Sequence, residues 1–126
     1  EWLYPLNQKW KGNIMSFKAA LLGAVVSGGL QPVPYTDPTT GEKAFLKRFT
    51  IGEREAYYKQ LSKAADGKGN ATAMSLFLVD ANGNRIFNDD DIDSLAQLPD
   101  VFFDNAMKAF AEINEPKTTV EQAEKN

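Results

Sequence analysis

The chain contains no cysteine and no histidine. The first absence excludes disulfides, thiolate catalysis, iron–sulfur clusters and cysteine-type zinc sites. The second removes the commonest general base and the commonest transition-metal ligand. Any enzyme built here would work with Asp, Glu, Lys, Tyr, Ser and Thr alone, so a non-catalytic binding protein without cofactor or tightly bound metal is expected. A long hydrophobic run is also missing. Ala19 to Val26 is apolar but far short of the roughly 20 residues that cross a bilayer. Lys18 in front of it gives a faint signal-peptide look, yet no Ala-x-Ala cleavage pattern follows, and a short buried helix is expected. Nor is there an excess of positive charge. The 14 Lys and Arg against 17 Asp and Glu leave a net charge of −3. A mildly acidic chain has no global attraction for nucleic acid or an anionic membrane, and neither is expected as a partner.

What is present suits one compact domain: 126 residues, 43% of them hydrophobic, supply one real core. Residues 1–14 differ from the rest and hold both tryptophans, Trp2 and Trp10. Because Met15-Ser16-Phe17-Lys18 looks like a start of translation, residues 1–14 are expected to be an expression remnant or upstream extension. The alternative is a native arm packing by its Trp and Tyr side chains. Residues 15–116 are expected to form a single, mostly helical α+β domain, and the polar residues 117–126 a flexible tail.

Local signals divide that domain further. Ser16 is placed to cap a helix from Phe17 to Ser27, with Phe17, Leu21, Ala24 and Val25 near one face and Gly28-Gly29 ending it. Pro32, Pro34 and Pro38 make the following stretch a loop or irregular edge strand. Lys43 to Phe49 reads as a strand with Phe45 and Phe49 on one face and Leu46 on the other. Thr50-Ile-Gly-Glu53 is a capping box for a helix reaching Ala65, with Tyr57 and Leu61 on its buried stripe. Ala71 to Val79 fits either a helix capped by Asn70 or a strand. The Asn82-Gly83 pair predicts a hairpin in which Asp80 faces Arg85, Val79 faces Ile86 and Leu78 faces Phe87. Asn88 caps a short helix whose first turn holds Asp89, Asp90 and Asp91, where the helix dipole favours negative charge. Pro99 suits the first position of a last helix, which Pro116 stops. Phe87, Ile92, Leu95, Leu98, Phe102 and Phe110 are the expected core.

Four patterns invite a chemical reading. Asp80-x-Asn82-x-Asn84 resembles a calcium loop, but Arg85 stands where the EF-hand needs Gly and Asp91 where it needs Glu. A turn explains the glycine without an ion. Asp89, Asp90, Asp91 and Asp93 could hold Mg²⁺ if two carboxylates converged, and capping already accounts for their place. Gly67-Lys68-Gly69 lacks P-loop spacing. Tyr57 and Tyr58 beside Arg54 and Lys59 could stack single-stranded bases, which the acidic balance disfavours. The helix from Val101 to Ile113 is different. Val101, Phe102, Phe103, Met107 and Phe110 cover more than one face, so some apolar surface is expected to stay exposed as a partner site. Val101, Phe103 and Met107 are the candidate partner-binding residues.

The order of these segments resembles a known family. A strand leads into Phe49-Thr-Ile-Gly-Glu-Arg-Glu-Ala56 and a helix. Then come Leu78-Val-Asp-Ala-Asn-Gly-Asn-Arg-Ile-Phe87, Asp91-Ile92 with Leu95, and Leu98-Pro99 opening a helix that ends at Ile113-Asn114. From about Lys43 to Asn114 this resembles the tail assembly chaperones of long-tailed bacteriophages. The resemblance implies a protein of virion assembly that acts in the host cytoplasm and is absent from the finished tail. It implies binding to the helical tape measure protein, kept soluble while tail tube subunits polymerise around it. The tail tube protein is a second candidate partner, and self-association is expected. Many members are made in two lengths by a ribosomal frameshift. No catalytic residue comes with the resemblance. A phage adaptor of head–tail connector type and a carboxylate–metal enzyme are the competing classes.

Overall fold

The computed structural model describes residues 14–24 and 30–114. The chain divides into two compact units, Glu1–Leu30 and Gln31–Asn126. In the first, helix α1 covers residues 14–23. Phe17 and Leu21, expected on a buried face, are exposed, and the boundary at Leu30 assigns this helix to the first unit rather than to the α+β domain. The expectations for residues 1–13, Val25, Gly28-Gly29, Pro116 and the tail 117–126 lie outside the described residues.

The second unit is a small, mostly helical α+β domain, as expected. Its sheet has three antiparallel strands in the order β1 (Val33–Thr36), β2 (Lys43–Leu46), β3 (Leu78–Val79). β1 is an edge strand, which tolerates Pro34 because an edge needs fewer ladder donors. Val33 pairs with Leu46 and Tyr35 with Ala44. The turn between β1 and β2 is held by Asp37, whose Oδ2 accepts from the Thr40 N–H and hydroxyl at 2.9 and 2.7 Å.

β2 stops at Leu46 rather than Phe49, and this reverses one expected face. Phe45 pairs with Val79, and Leu46 with Leu78. Phe49, past the strand, turns to the Leu46 side and packs on the core. The freed groups of residues 47–49 find other partners. Lys47 N–H donates to the Phe77 carbonyl at 2.9 Å. The Asn114 side chain accepts from Phe49 N–H at 3.2 Å and donates to the Lys47 carbonyl at 3.1 Å. It stands in for a neighbouring strand.

Four helices follow: α2 (Ile51–Ser62), α3 (Gly69–Phe77), α4 (Ile92–Leu95) after a 3-10 turn at Asp89–Asp91, and α5 (Asp100–Asn114). The capping box opening α2 is present. Glu53 N–H donates to Thr50 Oγ1 at 3.1 Å, and Thr50 N–H donates to Glu53 Oε1 at 3.0 Å. That backbone donor, and the Lys47 ammonium at 3.4 Å, hold the Glu53 carboxyl below its usual range. Thr50→Ala is expected to cost about 1 kcal/mol, read by urea denaturation. Because the folded pKa of Glu53 is depressed, its contribution is complete above the range where an unfolded glutamate ionises. It fades as pH falls through the lower folded value. Glu53→Gln should therefore flatten the acid limb of the stability curve and leave its slope near neutral pH unchanged.

The ambiguity over 71–79 resolves into both elements in sequence: helix α3 to Phe77, then strand β3. Lys68, not Asn70, occupies the cap position. α3 is buried on nearly every side, which an all-round apolar helix requires. Small residues Ala71, Ala73 and Ser75 let neighbours approach, and Thr72 and Ser75 return their hydroxyls to carbonyls of the helix's preceding turn at 2.7 Å. Phe77, with no exposed surface, stacks on Phe110 of α5 at 4.4 Å. Phe49 and Tyr57 complete a four-ring cluster around Phe110, at 5.6 and 5.7 Å from it. Of the expected core, Leu95 and Phe110 are buried, and Phe87, Ile92 and Phe102 pack partly against it. Leu98 does not belong; it is 43% exposed.

The hairpin after β3 has a three-residue loop, not the two-residue Asn82-Gly83 turn. Val79 lies opposite Arg85. Asp80 N–H donates to Asn84 O at 2.8 Å, and Gly83 N–H to Asp80 O at 2.9 Å. Gly83 has φ +86°, the left-handed residue that closes a three-residue loop. The register is one residue off the expectation, and a one-residue slip exchanges the two faces.

Candidate partner-binding groove

The metal-like patterns are already used up by the backbone. Asp80 Oδ1 accepts from the N–H groups of Asn82 and Asn84, both at 2.9 Å. Asp91 accepts from Asn88 N–H at 2.9 Å, completing the predicted cap. Asp89 pairs with Arg85 at 3.1 Å and Asp93 with Lys68 at 2.9 Å. The carboxylates thus diverge, and among the described residues no cluster of three potential ligands is found. Tyr57 and Tyr58 do not form a stacking platform. Tyr57 lies inside the aromatic cluster, and Tyr58 accepts from Arg54 at 3.1 Å.

The structure does not bring Val101, Phe103 and Met107 together. Two helical residues subtend roughly 200°, so Val101 and Phe103 lie on opposite sides of α5. Phe103 and Met107 pack partly against the core. Phe103 also lines a small pocket with Met74 and Leu95. Val101 is 41% exposed on the other side.

A different apolar surface is assembled by the fold. Between the β1–β2 hairpin and the α4–α5 corner lies a groove of about 280 Å³. Tyr35 and Ala44 line it from the hairpin, with Met74, Leu78, Ile86 and Phe87 along its base and end. Leu95, Leu98, Phe102 and Ala106 form the helical wall. Ile86 and Leu98, 47% and 43% exposed, stand at its margin. Asp37, Thr40, Glu42 and Lys43 give it one polar edge. The Tyr35 hydroxyl is shielded from solvent and has no hydrogen-bond partner among the described residues. Burial, and secondarily the Asp37 charge, push its pKa up, so it stays protonated.

A second cavity, of about 430 Å³, lies between α2 and the 83–85 loop. Its two cations are engaged, Lys47 with Glu53 at 3.4 Å and Arg85 with Asp89.

Tyr35, Ile86 and Leu98 were not legible as site residues. Tyr35 sits in a proline-rich stretch without strand alternation. Ile86 is set beside Leu78, not Val79, by the hairpin register. Leu98 fits a helical apolar stripe that ends before it. Comparison with family models, curated proteins and solved structures finds no match for this chain.

Proposed function

We propose that this protein is a non-catalytic assembly chaperone of a long-tailed bacteriophage that binds the tape measure protein through its apolar groove. The family follows from the resemblance between Lys43 and Asn114. The observation that carries the binding reading is the groove itself, with exposed Ile86 and Leu98 at its margin. Its volume takes one or two large side chains, which is what helix-in-groove recognition through spaced anchors needs. A contiguous apolar patch left at a surface often marks a partner site. Several copies along one long partner would cover each other's apolar margins, so self-association on the partner belongs to the same reading. The tail tube protein is the second candidate partner. The site of action is the host cytoplasm, before the tail is complete.

Co-expression with the tape measure protein tests this. The expected result is a soluble complex that survives affinity purification of either chain, with this protein missing from purified virions. A tape measure protein that stays insoluble and unbound sinks the proposal.

A further inference from the structure

We infer that Tyr35 is the specificity-determining residue of the groove, donating its hydroxyl hydrogen bond to a neutral polar side chain set among the apolar anchors of a helical partner. This deepens the partner-binding reading and rests on it.

The groove is apolar almost throughout, and a purely apolar groove distinguishes poorly between apolar helices. One polar atom in it is unmatched. The Tyr35 hydroxyl is covered, so bulk water does not serve it, and among the described residues no group accepts its proton. A buried polar group without a partner is costly and uncommon in a folded protein. The charged group that acts on it, Asp37, is partly committed elsewhere. Asp37 Oδ2 already takes both the N–H and the hydroxyl of Thr40. Tyr35 lies on the edge strand and lines the groove. An occupant that brings an acceptor satisfies the hydroxyl only in the complex.

The chemistry of that acceptor follows from the groove's edge. Asp37 and Glu42 both line it, opposed by Lys43 alone. A carboxylate from the partner would meet two like charges in a partly desolvated place. Burial is the main cause of the raised pKa of Tyr35, and the lesser cause, the Asp37 charge, also disfavours a further anion beside that oxygen. A carboxamide carries an acceptor without charge, so glutamine or asparagine fits. The occupant is therefore an amphipathic helix with apolar anchors and one carboxamide in the anchor row. This is the arrangement of most ligand sites: a largely apolar surface with a few polar groups that fix identity.

The test uses the full chain and three 18-residue helical peptides of Leu, Ala and Lys. They differ only at the central anchor, which is Gln, Leu or Glu. Fluorescence anisotropy should rank them Gln, then Leu, then Glu on the wild-type protein. Tyr35→Phe should weaken the Gln peptide about 3- to 10-fold, the size of one hydrogen bond, and leave the Leu peptide unchanged. The free Tyr35→Phe protein should melt no lower than wild type, since an unmet hydroxyl has been removed. Ile86→Asp should weaken all three peptides and so place them in the groove.

Four results overturn the inference. One is a wild type that does not prefer Gln to Leu, or binds none of the peptides. Another is a Tyr35→Phe variant that keeps the preference. A third is a lowered melting temperature for free Tyr35→Phe, which shows that the hydroxyl already has a partner. The last is a free protein that dimerises through Leu98, so that a second copy fills the groove. Peptide selectivity without capture of the tape measure protein defeats the functional proposal alone. Capture that ignores Tyr35→Phe defeats this inference alone.

Discussion

Phe77→Ala is expected to destabilise the domain by about 3–5 kcal/mol, the usual cost of truncating a buried Phe. The ring has no solvent exposure and lies face to face with Phe110 at 4.4 Å. Removing it opens a cavity at the point where α3, α5 and the β3 strand meet. The surroundings cannot close over it easily, because α3 is already packed through small residues. Domains of this size hold about 5–15 kcal/mol in all, so much of the variant population would unfold on mild warming. Denaturant titration followed by circular dichroism reads the loss directly. Phe110→Ala should cost a similar amount, since its ring contacts Phe49, Tyr57 and Phe77. The double variant should lose less than the sum of the two, because neighbouring residues share one packing contact. A melting temperature unchanged by either substitution would mean that the aromatic cluster is misplaced.

The second large effect is a separation of binding from folding. Ile86→Asp and Leu98→Asp place a charge at the exposed margin of the groove. They should reduce capture of the tape measure protein at least 10-fold, the scale on which a buried hot-spot contact acts. Stability should change by no more than about 0.5 kcal/mol, as for surface substitutions generally. Phe103→Asp and Met107→Asp should behave in the opposite way. Both side chains pack partly against the core, so a charge there lowers the melting temperature, and any loss of binding follows from unfolding. Co-purification and thermal melts on the four variants distinguish the patterns. If Phe103→Asp abolished capture with an unchanged melt, the partner would dock on the α3 side of α5 instead.

Local chemistry was readable wherever a few neighbouring residues decide the backbone. The Thr50–Glu53 capping box, the Asn88 cap over the 3-10 turn and the span of α5 follow from side chains within three or four positions of the groups they satisfy. These interactions exist in any context that lets the helix form, so sequence spacing is enough to find them. The α+β class was legible for the same reason, as a strand signal between helical ones.

The groove was not legible, because every step that builds it is non-local. β2 ends at Leu46, and Asn114, far along the chain, takes up the Lys47 carbonyl and the Phe49 N–H. That turns Phe49 into the aromatic cluster and leaves Phe45 on the opposite face. The Asn82-Gly83 pair announces a turn, yet two-residue and three-residue loops both accommodate it. The longer loop was selected with Val79 opposite Arg85, whose guanidinium reaches the Ser75 carbonyl at the end of α3 at 2.9 Å. That one-residue slip sets Ile86 beside Leu78, at the margin of the groove. Sequence alone thus determined the caps at Thr50 and Asn88, helices α2 and α5 and the lack of Cys and His chemistry. Tertiary structure decided which apolar side chains are core and which line the groove. Periodicity reports a stripe on one element, whereas burial depends on what the other elements set against it.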